Sequence, residues 1–237
     1  LGCSKNKVDT EHILSQVEGL YEIIPEGEDI PVDVLLLNTC GFIGDAKEES
    51  IQAVLEAVDR KARGEVGKVI VFGCLSQRYG HELPDLIPEV DAWFGAREFD
   101  PVIRALGVEP DRSKDAERYL TTPSHYAYLK ISEGCDRRCS YCAIPFIRGA
   151  HKSVPMEQLV EEARLLADKG VRELIIIAQD TTYYGLDLYR RRALAELLQK
   201  LSEVEGIEWI RIHYSYPAAF PEDVLDQMAN NPKVCRY

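Results

Sequence analysis

Seven cysteines are the residues of this 237-residue chain with the clearest capacity for chemistry. Three of them, Cys135, Cys139 and Cys142, lie in one short stretch at the spacing C-x3-C-x2-C. A zinc site normally has four ligands in two pairs, and a simple iron–sulfur carrier supplies four cysteines per cluster. Three cysteines in one loop would instead bind three irons of a 4Fe–4S cluster and leave the fourth iron open. A zinc knuckle, or a chance cluster of cysteines in a loop, is the alternative.

A second group, Cys3, Cys40 and Cys74, is scattered along the sequence, so its spacing says little. Its positions say more, because Cys40 and Cys74 follow the apolar runs Val32–Leu37 and Lys68–Phe72, and Cys3 follows what we interpret as a third strand end. In open α/β sheets the carboxyl ends of the strands share one crevice. The three thiols should converge there on a second 4Fe–4S cluster with one open iron. Three unrelated buried cysteines is the alternative interpretation.

Composition excludes several classes of function. The chain has 28 basic and 40 acidic side chains, a net charge of −12, which disfavours general nucleic-acid coating and suits a basic partner. No apolar run approaches the roughly 20 residues of a membrane helix, and no signal peptide opens the chain. We therefore expect a cytoplasmic protein whose cysteines serve metal binding or catalysis. Cys235, at the start of a predicted strand, is expected to be a small core residue.

The first part of the chain predicts an open parallel α/β sheet. Its two apolar runs have the composition of buried parallel strands. The helix between them has Asp45 and Glu48 at capping-box spacing. Its apolar residues repeat on one face, at Ile51, Val54, Leu55 and Val58. Flanking helices are predicted over Val8–Glu18 and Glu98–Leu106.

A second α/β series follows a charged, proline-containing segment. Strands and helices alternate over Tyr126–Ser132, Val154–Asp168 (with Pro155 at its first position), Glu173–Ala178, Ala193–Leu201, Trp209–Tyr214 and Pro221–Met228, with a fourth strand beginning at Val234. A β/α barrel needs about six to eight such units and about 250 residues. We therefore expect a partial barrel that continues beyond Tyr237, and an opening strand cut away before Leu1. The predicted organisation is an N-terminal domain over 1–107, a linker over 108–124 and a barrel domain over 125–237.

The C-x3-C-x2-C motif, with Tyr141 before its last cysteine, resembles that of the radical S-adenosylmethionine (SAM) enzymes, which favour an aromatic residue there. The resemblance implies a 4Fe–4S cluster whose open iron binds the amino and carboxylate groups of SAM, near Tyr141. It also implies reductive cleavage of SAM to a 5′-deoxyadenosyl radical that removes hydrogen from carbon.

Three segments around the first cysteine group, Leu1–Asp9, Asn38–Ile43 and Gly73–Leu75, resemble the N-terminal domain of the methylthiotransferases. This family attaches a methylthio group to an unreactive carbon. The resemblance implies two 4Fe–4S clusters, one on each cysteine group, and two SAM molecules, one as radical source and one as methyl donor. An external electron donor is implied as well.

Within that family, Leu1–Asn6, Ala178–Gly185 and His213–Pro217 resemble the members that modify a ribosomal protein. Those members act on the β-carbon of an aspartate in the twelfth protein of the small subunit. The transfer-RNA members tend to have Asn at the position of Asp180. Methylthiolation of adenosine in transfer RNA is the alternative within the family, and a non-catalytic iron–sulfur carrier or scaffold is the alternative of another class.

Polar residues at strand ends are the candidates for SAM contacts, because the carboxyl ends of the strands form the catalytic face of a β/α barrel. Gln179 and Asp180 end one strand, and His213 and Ser215 end the next. The alternatives are a polar strand cap for the first pair and a buried, backbone-bonded imidazole for His213. Arg148 is expected to hold the cluster loop or a SAM carboxylate, with a surface salt bridge as the alternative. No catalytic residue is assigned beyond the cluster ligands.

Overall fold

The computed structural model describes residues 1–25, 27–28 and 30–237. They form two compact units. The first comprises Leu1–Lys114 and the short segment Phe146–Arg148, and the second comprises Asp115–Pro145 and Gly149–Tyr237. In this described part of the chain, no helix combines the length and the apolar character needed to cross a membrane. The domain limits expected from the sequence stay a prediction.

The first unit alternates helices and strands. Its elements are α1 (Ser4–Val17), β1 (Val32–Thr39), α2 (Gly44–Ala62), β2 (Val66–Gly73), α3 (Cys74–Tyr79), α4 (Leu83–Leu86), β3 (Ala92–Phe94) and α5 (Phe99–Ala105). The strands form one parallel sheet in the order β1-β2-β3. Side chains alternate along β2, so Ile70 and Phe72 join one apolar cluster while Val69 and Val71 join another. The strand is therefore covered on both faces, as its continuous apolar run predicted.

Helix α2 differs from its prediction in two ways. It begins at Gly44 with Ile43 at the N-cap, and no side chain caps it, so Asp45 lies inside the first turn. Val54 is fully buried, whereas Ile51 and Leu55 remain 38% and 46% exposed. The apolar pattern located the helix, but only the sheet against which it packs determined which part of the apolar face is covered.

Two features near the first cysteines were missed or misjudged. Strand β3 has only three residues, too few to show a periodicity. Leu1 and Gly2 are not in a strand, and Cys3 is the N-cap residue of α1. Helix α1 consequently starts at Ser4, four residues before the predicted Val8, because its polar first turn has no apolar periodicity.

The second unit holds the other elements, except the end of α6, which lies in the first unit. They are β4 (Tyr126–Lys130), β5 (Ser132–Glu133), α6 (Ile144–Arg148), β6 (Lys152–Ser153), α7 (Met156–Asp168), β7 (Glu173–Ile177), α8 (Leu186–Tyr189), α9 (Leu194–Ser202), β8 (Trp209–Ile212) and α10 (Glu222–Asn230). Strands β4, β7 and β8 form a parallel sheet in that order. Val234 makes an isolated parallel bridge to Ile210, where the next strand was expected.

The predicted strand Tyr126–Ser132 is divided between two sheets. Strand β4 ends at Lys130, and β5 pairs antiparallel with β6 instead. This two-stranded ribbon brackets the second cysteine group in sequence. Pro155 is the N-cap residue of α7 rather than its first helical residue. Apolar alternation located the chain's extended stretch but carried no information on its pairing partner.

The charged segment expected to be a linker makes long-range bonds within each unit. In the first unit, the backbone N–H of Asp111 donates to Gln16 Oε1 at 2.8 Å, and Gln16 Nε2 donates back to the Asp111 carbonyl at 3.0 Å. In the second, Arg118 is only 1% exposed and donates to Glu162 at 2.7 Å and to the Tyr128 carbonyl at 3.0 Å. Composition registers the polarity of such a segment but not its partners.

Candidate iron–sulfur sites

The first cysteine group is gathered at the carboxyl edge of the first sheet. Thr39 at the end of β1 is in register with Gly73 at the end of β2. The next residues, Cys40 and Cys74, therefore leave neighbouring strands side by side.

Close backbone packing holds these loops together. Gly2 has φ +89°, and a Cβ there would lie 3.3 Å from Cys40 Cβ. A Cβ on Gly41 would lie 2.7 Å from the Cys74 carbonyl oxygen, closer than any side chain can sit. Ser50 of α2 holds Cys40 from the other side, accepting from its N–H at 2.9 Å and donating to its carbonyl at 3.0 Å. Close contacts with the main chain thus fix the cysteine positions. Only glycine allows these contacts, because it has no Cβ.

A buried polar network lies against the first group. Arg148 donates through Nη1 to Asp9 at 2.7 Å, through Nη2 to Asn6 Oδ1 at 2.9 Å and through Nε to Cys74 Sγ at 3.2 Å. The side chains of Arg148 and Asp9 are each 2% exposed. Asn6 Oδ1 also accepts from the Cys3 thiol at 3.4 Å. Arg148 is therefore buried in the first unit and not part of a surface salt bridge.

The electrostatics of Cys74 reflect these neighbours. Burial raises the pKa of its thiol, and Arg148 opposes that rise through its charge and its hydrogen bond. Cys40 and Cys3 raise the same pKa further by charge repulsion, as thiols do when they lie close together. Metal binding would offset the cost of ionising these thiols, because the charge of the metal stabilises each thiolate.

The second cysteine group lies in the loop between β5 and α6. Gly134 has φ +74°, and a Cβ there would clash with the carbonyl oxygens of Gly149 and Ala150. Within the loop, the backbone N–H of Cys135 donates to the Gly149 carbonyl, and that of Cys142 donates to the Cys139 carbonyl, each at 3.0 Å. The loop thus enters its turn at the one residue type that tolerates both the conformation and the contact.

Arg137, between Cys135 and Cys139 in sequence, anchors this loop. Its Nε donates to Asp180 Oδ2 at 2.9 Å, and its guanidinium lies 4.5 Å from the ring centroid of Tyr183 and 4.0 Å from that of Tyr216. Asp180 Oδ1 accepts from the N–H of Thr182 at 3.0 Å and from its hydroxyl at 2.7 Å. Asp180 therefore caps the following 3-10 turn and holds the cysteine loop with the same carboxylate.

Cys135 shows that the thiols of this loop share one environment. Its pKa is raised, mainly by burial and further by Asp180, Cys142 and Cys139. The N–H of Arg137, 3.4 Å from Cys135 Sγ, works in the opposite direction.

Gln179 has an unused acceptor. Its Nε2 donates to Glu133 Oε1 at 2.8 Å, and Glu133 also accepts from Lys130 at 2.8 Å. Gln179 Oε1 is buried and has no hydrogen-bond partner among the described residues. A buried carbonyl oxygen without a donor is costly, so it suits a ligand that brings a cationic or N–H group, as the ammonium of SAM does.

The other predicted SAM residues are placed as follows. Ser215 Oγ lies 2.9 Å from Thr181 Oγ1. The ring of His213 meets that of Tyr214 edge-on and lies tilted to that of Tyr237, with centroids 6.0 and 5.9 Å apart. Tyr141 is 87% exposed. Their assignment to the SAM pocket stays a prediction.

Sequence reasoning missed His151, which no motif singled out. Its side chain is 2% exposed, and its Nε2 lies 3.0 Å from Ser153 Oγ. Its Nδ1 is buried without a partner among the described residues. Its backbone N–H donates to Asp136 at 3.0 Å, and its ring meets Tyr183 edge-on at 5.8 Å. Burial lowers the pKa of this imidazole, although Asp187, Asp136 and Asp180 oppose the shift.

Each group contains three cysteines outside any disulfide, which fits the three thiolates that a 4Fe–4S cluster with one open iron would need. Within the described residues, no three His, Cys, Asp or Glu side chains are arranged to chelate a single metal ion. Cys235, the seventh cysteine, is also reduced and partly buried.

Two family models match the chain. Residues 1–95 match the uncharacterized protein family UPF0004, and residues 129–237 match the Radical SAM superfamily. Solved structures agree with the fold. A radical S-adenosylmethionine methyltransferase, TsrM, from Kitasatospora setae, with cobalamin and a [4Fe-4S] cluster bound, has a TM-score of 0.58 at 12% identity over 85% of this chain and 47% of its own. The same enzyme with tryptophan and a SAM analogue bound gives 0.54 at 14% identity over 76% of this chain and 42% of its own.

Curated relatives align with the chain over its whole length. Proteins named ribosomal protein uS12 methylthiotransferase RimO are 54% identical in Christiangramia forsetii, 52% in Cytophaga hutchinsonii and 50% in Bacteroides thetaiotaomicron. The matches cover 52%, 54% and 55% of those proteins, so the chain spans about half their length.

The fold is α/β with parallel sheets, as the sequence predicted, and residues 129–237, which include the second cysteine loop, match the Radical SAM superfamily. The chain is more narrowly RimO-like: over its whole length it resembles the radical SAM methylthiotransferases, and the resemblance recognised from its motifs is confirmed. The match of residues 129–237 to that superfamily implies SAM and a 4Fe–4S cluster as cofactors.

Proposed function

We propose that the protein containing this chain transfers a methylthio group to the β-carbon of an aspartate in ribosomal protein uS12. The supporting observation is the 50–54% identity, over all of this chain, to proteins named for that activity. An acidic chain also suits a basic ribosomal protein as substrate, because opposite net charges speed association. We place the reaction in the cytoplasm, with its ribosomal substrate.

The proposal assigns one 4Fe–4S cluster to each cysteine group. Cys135, Cys139 and Cys142 would hold the cluster that, when bound, supplies an electron for cleavage of SAM. Cys3, Cys40 and Cys74 would hold the second, on which we propose the sulfur is presented. Two SAM molecules are required, one as radical source and one as methyl donor, with an external electron donor.

The chain's own residues would position SAM beside the second group. Gln179 Oε1 is the acceptor we assign to its ammonium, since that atom is buried and has no other donor among the described residues. Asp180 fixes the loop through Arg137. We assign Tyr141, His213 and Ser215 to the surrounding pocket.

The substrate carbon explains why such cofactors are needed. A β-carbon beside a carboxylate carries no acidic proton, so general acid–base catalysis, worth about 10²–10⁴-fold, would not activate it. Removal of a hydrogen atom by a radical does not depend on that acidity.

The test is intact-mass analysis of small-subunit ribosomal proteins from cells with and without the gene. Protein uS12 should lose one methylthio group when the gene is absent and regain it on complementation. Complementation with C139A should fail. C235A, in which the cysteine outside both groups is replaced, should succeed. If uS12 is unchanged and methylthio-adenosine disappears from transfer RNA instead, the substrate is transfer RNA.

A second assay separates the enzyme from an iron–sulfur carrier or scaffold. The reduced, reconstituted full-length protein should convert SAM to 5′-deoxyadenosine, and C139A should not. A carrier would hold iron and leave SAM intact.

A further inference from the structure

The first unit contains a buried arginine that donates to sulfur as well as to oxygen. Arg148 uses Nη1 for Asp9, Nη2 for Asn6 and Nε for Cys74 Sγ, at 2.7, 2.9 and 3.2 Å. With side chains only 2% exposed, Arg148 and Asp9 are both removed from water. Desolvation of an ion is costly even after relaxation, so a pair like this persists only when its hydrogen bonds are well satisfied.

The third contact distinguishes this pair from a purely structural one. Asp9 already neutralises the charge of Arg148, yet Nε points to Cys74. A thiol sulfur is a weak acceptor, whereas an ionised partner makes the hydrogen bond about twice as strong. The Nε contact would therefore be stronger when Cys74 binds metal, because the metal-bound form is a thiolate.

Resting on the two-cluster function proposed above, we propose that Arg148 is a positioning residue for the cluster held by Cys3, Cys40 and Cys74. Its guanidinium donates to the Cys74 thiolate and makes that cluster easier to reduce. Hydrogen bonds to the sulfurs and nearby charge both set the potential of iron–sulfur clusters. A cation and an N–H donor stabilise the added electron, so both raise the potential.

The arrangement requires arginine rather than any cation. The guanidinium presents its donors in a rigid planar fork, and here its donors reach Asn6 and Asp9 on α1 and Cys74 at the first position of α3. Lysine would keep the charge but could not serve the same three atoms at once. Asp9 acts in the opposite direction, because its negative charge offsets that of Arg148 beside the sulfur.

The experiment isolates one cluster in the full-length protein. C135A/C139A/C142A leaves only the first cysteine group, and the reconstituted protein is titrated electrochemically with detection by electron paramagnetic resonance. In this background R148Q should shift the midpoint to a more negative potential and lower the affinity for iron, measured in competition with a chelator, by roughly 10–100-fold, the usual cost of losing a group that orients a metal ligand. For both quantities, R148K should fall between R148Q and the protein with Arg148.

Two further variants make the result decisive. D9N removes the opposing charge, so it should shift the midpoint to a more positive potential. R78Q is the matched control, because Arg78 donates to the Gly41 carbonyl at 2.8 Å, next to Cys40, without touching sulfur. It should change neither quantity.

Unchanged potential and iron retention in R148Q would overturn the inference while leaving the two-cluster function intact. Should R148Q fail to fold, D9N decides, since a midpoint that stays fixed or moves negative rejects the electrostatic role. Failure of the triple-cysteine variant to bind any cluster, with wild-type protein binding only one, would overturn both this inference and the two-cluster proposal.

Discussion

Cys135, Cys139 and Cys142 come from one short loop, whereas Cys3, Cys40 and Cys74 come from three segments spread over the first third of the chain. The local group needs little chain entropy to assemble, because short loops are cheap to close. The scattered group exists only after β1 and β2 have paired, since that pairing brings Cys40 and Cys74 together. The local group can therefore be recognised from the sequence alone, whereas the scattered group is brought together only by folding.

The two groups also differ in how their surroundings hold them. Glycines and a buried Arg148–Asp9 pair pack against the scattered group. The local group is held by one glycine and by the partly exposed Arg137, which reaches Asp180. This contrast indicates that a local motif still needs tertiary contacts to fix its shape, although it does not need them to bring its ligands together.

The largest expected effect distinguishes the two cysteine groups by whether SAM cleavage depends on them. Cys139→Ala should abolish both the cluster of its group and 5′-deoxyadenosine formation, because a cluster held by two thiolates is not retained. Cys40→Ala should remove about the same amount of iron, roughly one 4Fe–4S cluster, yet leave SAM cleavage measurable. Iron analysis and product assay on the anaerobically reconstituted protein check both. Equal loss of SAM cleavage in the two variants would contradict the division of roles.

The next effect compares the glycines that shape each site. Gly134→Ala should cost about 2–4 kcal/mol of unfolding free energy, from positive φ plus a clash with main chain. Gly41→Ala, which meets main chain without positive φ, should cost about 1–3 kcal/mol. Gly44→Ala is the control, because nothing lies within 4 Å of its added Cβ, and it should be neutral or slightly stabilising. Denaturant unfolding gives the three values, and a cost for Gly44→Ala equal to the others would reject the steric explanation.

The anchor of the local group predicts a smaller loss. Asp180→Asn removes the charge that Arg137 contacts and should cost about 2 kcal/mol, the range for a hydrogen bond to a charged group. Glu161→Gln, which breaks an exposed pair with Arg164, should change stability by less than about 0.5 kcal/mol. Thermal unfolding of the apo-protein compares them. If both substitutions have the same small effect, the Arg137 contact does not anchor the loop.

The smallest effect is a pH dependence of the unfolding free energy that comes from His151, close to the local group. Burial lowers the pKa of His151, so the unfolded state binds more protons than the folded state near pH 6. Stability from this residue is present above its unfolded pKa and is lost as pH falls below it, with a slope of at most about 1.4 kcal/mol per pH unit. His151→Gln should flatten the profile between about pH 7 and 5. A slope in His151→Gln identical to that of the wild-type protein would rule this histidine out.

Strands that are long and apolar were predicted well from sequence. Val32–Leu37 and Lys68–Phe72 lie within β1 and β2, because buried parallel strands are continuous apolar runs. Short pairings such as β3 and the β5–β6 ribbon were not predicted, since two or three residues show no period. The fold class follows from the first kind of element and does not depend on the second.

The sequence by itself determined the two cysteine groups, the α/β alternation and the resemblance to the radical SAM methylthiotransferases, because these depend on residue types at short or repeated spacing. Only the tertiary structure decided that Arg148 lies buried against Cys74 and Asp9, and that Asp180 serves the cysteine loop through Arg137. Those partners are tens of residues apart or more, and a charged side chain carries no local signal of whether it will be buried. The partner of such a side chain comes within hydrogen-bonding distance only once the sheets have formed.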